Sequence, residues 1–256
     1  MFAAGLLQDQ VALVTGGGSG IGYAIAQEFL KLGATVWLCG RRLEKLQQAA
    51  QTLEALGPVH FQKCDIRELA EVEALAQAIQ ETHGRLNLLV NNAGGQFLAP
   101  AEQISPKGFQ AVIHNNLIGT WNVTYTLAHR FFLPARQGVI VNIIANIYRG
   151  FPGMAHTGAA RAGVDNLTKT LAVEWSRYGI RVNAIAPGII ASSGLTQYPP
   201  EVRQMLAEAI PLKRLGRVEE VAYLAVFLAS PMAAYITGET IYIDGGQRLW
   251  GDFFRM

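Results

Sequence analysis

The chain has 256 residues, half of them hydrophobic and only 16% charged, so it folds around a core instead of staying disordered. Its 21 basic against 19 acidic residues leave a scattered net charge of +2, which removes the electrostatic signature of a nucleic-acid or membrane-surface binder. Two cysteines, Cys39 and Cys64, supply neither a disulfide framework nor a metal site, and they fit a reducing compartment. The opening MFAAGLLQDQ lacks the basic start and apolar run of a signal peptide. No stretch approaches the roughly 18 apolar residues of a membrane span, so a cytoplasmic protein is expected.

Short Val- and Ile-rich runs at 11–14, 35–39, 59–61, 86–90, 139–144, 180–185 and 240–243 have strand length. Between them, apolar residues spaced by three and four predict helices at 23–31, 43–56, 69–82, 109–132, 159–177 and 219–228. Strictly alternating strands and helices imply a parallel sheet covered on both faces, because parallel neighbours need crossover connections. The expectation is one α/β domain over 1–256, a doubly wound parallel sheet of about seven strands. In that architecture ligands bind beyond the carboxyl ends of the strands, so those positions are read first for chemistry.

After the first strand comes Thr15-Gly16-Gly17-Gly18-Ser19-Gly20-Ile21-Gly22, running into a helical pattern. Glycines at 16, 18, 20 and 22 let the backbone turn tightly and approach a pyrophosphate. Its charge is stabilised by free N–H groups around Ser19 and Ile21 at the positive end of a helix dipole. In this strand, turn and helix context the run reads as a dinucleotide site. The second strand ends Cys39-Gly40-Arg41-Arg42, with no carboxylate to accept the ribose hydroxyls of NAD. Arg41 and Arg42 can pair with a 2′-phosphate, which favours NADP(H); the alternative is a solvated helix start.

These residues, with Asn91-Asn92-Ala93-Gly94 and Pro187-Gly188, resemble the short-chain dehydrogenase/reductase family over nearly the whole chain. The resemblance implies that Asp65 and Ile66 flank the adenine, that Asn92, Ala93 and Gly94 line the cofactor, and that Pro187, Gly188 and Ile190 cover the nicotinamide. Asp65 equally reads as a helix N-cap before Arg67-Glu68. The family places a Ser on the fifth strand, Tyr-x-x-x-Lys on the next helix and an Asn on the helix before. Here Ile144, Thr157 and Arg161 occupy the first three places, and only the Asn remains, as Asn116.

Reducing a ketone requires a proton at oxygen, a task for which a Tyr of pKa about 10 needs a neighbouring cation. Thr157 is far too weak an acid and Ile144 neither donates nor accepts, so carbonyl reduction is disfavoured. Reducing a C=C bond conjugated to a thioester asks only for hydrogen-bond donors at the oxygen as enolate charge develops. Thr157 can supply one. The run Val141 to Ile144, then Gly150-Phe151-Pro152 and 156–164, resembles the enoyl-CoA and 2,4-dienoyl-CoA reductase branch of the family, of the peroxisomal type.

In that branch a Tyr after the fifth strand acts with a helix Lys, and Tyr148 falls there once a gap of about two residues is allowed. Tyr148 reads equally as a rim aromatic. A Tyr sometimes assigned just after the Ala-Gly-Val run is Asp165 here. Arg161 can hold the nicotinamide ribose and support nearby negative charge, or be a surface helix Arg. Asn116 interrupts its helix or bridges it through a water without touching substrate, or is a buried hydrogen-bonded Asn. His156 reads as polar lining on a loop, outside the catalytic set. His60, His83, His114 and His129 share no spacing and read as structural, and Trp37, Trp121 and Trp175 as packing.

Residues 191–211, with Ser192-Ser193-Gly194 and Pro199-Pro200, read as a substrate lid or simply a long connection. Lys213, Arg214 and Arg217 are either CoA phosphate contacts or a solvated turn. Tail aromatics Trp250, Phe253 and Phe254 are costly to leave in water, and the family resemblance implies a homotetramer through this end. The expected activity is NADPH-dependent reduction of an acyl-CoA double bond, without metal. Alternatives are a carbonyl or alcohol dehydrogenase of 3-oxoacyl type, and a non-catalytic NADP(H)-binding protein.

Overall fold

The computed structural model describes residues 2–192, 195 and 200–249. Seven parallel strands form one sheet: β1 (Val11–Thr15), β2 (Thr35–Gly40), β3 (Val59–Lys63), β4 (Leu88–Asn91), β5 (Gly138–Ile143), β6 (Ile180–Pro187) and, last in the chain, β9 (Thr240–Ile243). Their spatial order is β3-β2-β1-β4-β5-β6-β9. The chain reverses its direction of growth between β1 and β4, which opens the crevice where doubly wound sheets bind ligands. A separate two-stranded ladder joins β7 (Ile190–Ala191) to β8 (Gly216–Arg217), a pairing too short for hydrophobic pattern to reveal.

Successive strand residues enter opposite cores, as the pleat requires. Ala12, Val14, Val36 and Leu38 join one core beneath α1 (Gly20–Lys31), α2 (Leu43–Leu53) and α9 (Val218–Ala229). Val11, Leu13, Trp37 and Cys39 join the other, beneath α3 (Leu69–His83), α5 (Gly119–Leu127) and α7 (Ala155–Trp175). The expected burial on both faces fails at β3, an edge strand whose Phe61 stays exposed.

Two helix boundaries correct the sequence reading. The predicted helix at 159–177 begins four residues earlier, so His156 and Thr157 lie in the first turn of α7 and not on a loop. Part of the predicted lid is helical, as α8 (Pro200–Glu208), with Pro200 at the helix start where its missing N–H costs nothing. The lid positions Ser193, Gly194 and Pro199 and the tail aromatics lie outside the described residues. Among the described residues no helix is long and apolar enough to cross a membrane.

Although unrelated in sequence spacing, His60 and His83 meet over Trp37: His60 stacks on the indole at 4.9 Å, and the two imidazoles lie edge to face at 5.0 Å. Burial lowers both pKa values, and nearby His60 and Arg85 lower that of His83 further. Unfolding releases these rings to titrate near about pH 6.5, so stability complete above that value is lost as the pH falls through the lower folded values. The urea midpoint should therefore drop as the pH falls below about 6.5. A His60→Gln/His83→Gln variant should show a shallower drop, and an unchanged slope would clear the cluster of this role.

Candidate active site

The glycine turn is fixed across the switch point by Thr15 of β1 and by Asn92, just after β4. Thr15 Oγ1 accepts the backbone N–H groups of Asn92 and Ala93, both at 2.9 Å, and Asn92 Nδ2 donates to the Thr15 carbonyl at 2.9 Å. Gly22 packs against this bond network so closely that a Cβ there would come within 2.5 Å of Asn92 Nδ2 and 2.6 Å of the Gly16 carbonyl. Ser19, the N-cap of α1, makes no side-chain cap bond, so the first-turn N–H groups of α1 are left for a ligand.

Of the residues read as cofactor ligands, Gly16, Gly18, Ser19, Gly20, Ile21, Arg41, Arg42, Asp65, Ile66, Asn92, Ala93 and Gly94 line one cavity of about 310 Å³. Gly22, Arg161, Pro187, Gly188 and Ile190 lie outside its lining. Lys45, Asn115 and Ser192 join the wall as well. Lys45 is one helical turn into α2, where a lone Lys on an exposed face carries no sequence signal. Cys39 and Cys64 touch at the floor, and their contact and burial push the Cys39 thiol up, which keeps it protonated.

Asp65 is not a helix N-cap, the position that Glu68 takes at the start of α3. Its carboxylate instead accepts the Arg67 backbone N–H at 3.1 Å and the Arg67 guanidinium at 2.9 Å. That hydrogen bond, aided by Arg41, holds Asp65 below the ordinary carboxylate range. Arg41 and Asp65 share the cavity wall, where the carboxylate is already committed to Arg67.

At the far end of β4, Arg161 and Asn116 converge on Gly94, where any Cβ would collide with both side chains. Asn116 lies in a π-helical turn, His114–Ile118, joining α4 (Pro106–Ile113) to α5. Such π-turns are frequent at functional sites. The amide of Asn116 donates to the Gly95 carbonyl and accepts the Gly95 N–H, both at 2.9 Å, so it fixes the loop after β4 directly.

Arg161 is not a surface residue: only 8% of it is exposed. Burial lowers its pKa to about 10, which leaves it charged at neutral pH. Among the described residues it makes no hydrogen bond or ion pair, a costly state for a buried cation. Thr157, one turn earlier on the same face of α7, is also buried. Behind them a buried polar chain runs from Thr124 through Asn91 and Asn142 to Thr168, in links of 2.8 to 2.9 Å, and ties α7 to the sheet.

Tyr148 is 63% exposed and meets Tyr242 of β9 edge to face, with centroids 6.0 Å apart. No hydrogen bond joins it to Thr157 or Arg161 among the described residues. Asp165 is taken up by Lys169 and the Thr240 hydroxyl. Pro187 ends β6, its carbonyl accepting Asn146 N–H at 2.9 Å, while Gly188 lies against Asp244 and Ile190 is buried in β7. Of the basic turn, Arg214 pairs with Glu220 at 2.7 Å and Lys213 donates to the Glu208 carbonyl at 3.0 Å. These internal bonds favour the solvated turn over phosphate binding.

A family model described as enoyl-(acyl carrier protein) reductase matches residues 16–248. The chain is 40% identical over 249 residues to a probable 2,4-dienoyl-CoA reductase, (2E)-enoyl-CoA-producing, of Bacillus subtilis, covering 95% of this chain and 98% of that one. It is 41% identical over 256 residues to the peroxisomal 2,4-dienoyl-CoA reductase, (3E)-enoyl-CoA-producing, of Mus musculus, covering 96% and 86%. Among solved structures, a citronellol catabolism dehydrogenase of Pseudomonas aeruginosa superposes with a TM-score of 0.88 at 44% identity, covering 97% of this chain and 98% of that one. Sheet order, glycine turn and Asn-Ala-Gly loop agree with these matches: the chain belongs to the short-chain dehydrogenase/reductase family of oxidoreductases.

Proposed function

We propose that the chain uses NADPH to reduce a carbon–carbon double bond conjugated to a CoA thioester, in a 2-enoyl-CoA or a 2,4-dienoyl-CoA. The observation that carries this reading is the buried Arg161 one helical turn from a buried Thr157, with no hydrogen bond made by Arg161, and none from Tyr148 to this pair, among the described residues. The printed names of the relatives, 2,4-dienoyl-CoA reductases, support the same substrate class.

The residues present fit a phosphorylated dinucleotide. Gly16, Gly18, Ser19 and Gly20 line the cavity at the start of α1, whose first-turn N–H groups are left without a side-chain cap and suit a pyrophosphate. Arg41, Arg42 and Lys45 line the cavity, and the one carboxylate on the same wall among the described residues, Asp65, is hydrogen-bonded to Arg67, which leaves the three cations for a 2′-phosphate. When bound, the nicotinamide supplies a hydride to the far carbon of the conjugated system.

The protein's own residues manage the charge that results. Electrons displaced from the double bond collect on the thioester oxygen, where the Thr157 hydroxyl donates a hydrogen bond. Arg161 remains protonated throughout and stabilises that developing negative charge in a site with little water to screen it. A proton from solvent completes the reaction at carbon. In a dienoyl ester the surviving double bond ends at C2 or C3 according to which carbon takes that proton.

NADPH oxidation should follow addition of crotonyl-CoA or a 2,4-dienoyl-CoA and not of acetoacetyl-CoA or simple ketones. Turnover confined to the ketones would make the protein a carbonyl reductase. Absence of all turnover, with a melting temperature raised by NADPH, would make it a cofactor binder only. Thr157→Val should lower kcat by about 10²-fold, the typical loss of one donor to a developing oxyanion. Tyr148→Phe, at an exposed ring facing Tyr242, should change kcat far less; a reversed order of effects would move the donor to Tyr148. On this reading residues 1–256 act as one cytoplasmic reductase unit, assembled as a homotetramer.

A further inference from the structure

His156 precedes the hydroxyl used in the proposed chemistry by one residue and is fully buried. Its ring packs edge to face against Phe97 with centroids 4.3 Å apart, and Nε2 is buried without a partner among the described residues. A phenyl ring would make the same contact without the cost of an unsatisfied nitrogen. Burial pushes the imidazole pKa below its ordinary value, so the ring is neutral at pH 7.

What a phenyl ring cannot do is found at Nδ1. This atom accepts the backbone N–H of Thr157 at 2.7 Å and lies 3.1 Å from Thr157 Oγ1. The N-cap residue of α7, Met154, gives no side-chain bond, so without His156 the Thr157 N–H has no capping side chain. A neutral imidazole has one acceptor nitrogen, and the short N–H bond already engages it. The Thr157 hydroxyl can reach this nitrogen only as a second and weaker donor, at 3.1 Å, so its proton is readily given to a substrate oxygen. A carboxylate at this place would cap the helix and take that proton too.

We propose that His156 is a positioning residue: Nδ1 pins the Thr157 backbone and leaves the Thr157 hydroxyl directed to donate to the substrate oxygen. The inference rests on the role given to Thr157 above, and the variants separate the two.

The test is steady-state kinetics of the full chain with 2,4-hexadienoyl-CoA and NADPH, together with NADPH fluorescence titration and thermal melting. His156→Phe should lower kcat about tenfold while KM for the acyl ester and Kd for NADPH stay within about twofold. His156→Asn, which offers a neutral acceptor near the Nδ1 position, should recover most of that loss. In a Thr157→Val background, His156→Phe should cost nothing further in kcat. An unchanged kcat in His156→Phe beside an impaired Thr157→Val overturns the inference and leaves His156 as a helix cap. A silent Thr157→Val, or a wild type inert towards both enoyl and dienoyl esters, removes the underlying reading and this inference with it. Should His156→Phe not fold, His156→Asp decides: a preserved melting temperature with reduced kcat supports the proposal, and wild-type kcat overturns it.

Discussion

Replacing Arg161 with Met should make the ligand-free protein more stable and nearly inactive. Arg161 as a residue is only 8% exposed and has no acidic partner among the described residues, so the folded state bears much of the cost of removing a charge from water. A Met of similar length fills the space under Gly94 with apolar atoms. The expected gain is about 1–3 kcal/mol, by analogy with buried charges replaced by packed hydrophobes. For a chain of this size that corresponds to a rise of about 2–4 °C in Tm for each kcal/mol.

Turnover of a dienoyl-CoA should fall by at least about 10²-fold, since the lost charge acts where negative charge develops and water is scarce. Arg161→Lys should keep the cation and recover part of the rate, but with a compact ammonium in place of a planar fork. The stability gain and the rate loss have one cause, a charge placed for the reaction and not for the fold. A destabilised Met variant would reveal a partner for Arg161 in the folded protein. A Met variant with full activity would remove the residue from the chemistry.

The fold was legible because β1, β2, β4, β5 and β6 are buried on both faces and so read as short, largely apolar runs. The start of α7 was not, because Pro152, Gly153 and Gly158 read as loop, and its N-cap is Met154 instead of a Ser, Thr, Asp or Asn. Its real cap, His156, works from inside the helix, which no spacing rule captures. The glycine turn and the loop at 92–94 were legible because backbone conformation constrains residue type there. Lys45, Asn115 and Ser192 were not, since their place on the cavity wall follows from tertiary approach of α2, the π-turn and the segment after β7. Burial of Arg161 was equally hidden: an Arg in a helical pattern looks the same whether it faces water or a catalytic cleft.

Cofactor choice gives the second large effect. Arg41→Ser with Arg42→Ser should raise the KM for NADPH by about 10²-fold or more while changing that for NADH only slightly. Each charge-assisted hydrogen bond to the 2′-phosphate contributes about 1.5–3 kcal/mol, and NADH carries no such phosphate. Both side chains are solvent-exposed at the cavity rim, so part of their attraction is screened. The wild-type preference for NADPH should accordingly shrink as salt is raised, whereas the double variant should be nearly indifferent to salt. Lys45 sits on the same wall and retains some phosphate affinity in the double variant, so adding Lys45→Ser should take the preference down further. Equal losses for NADH and NADPH in the double variant would instead mean that the two arginines support the shape of the cavity and do not read the phosphate.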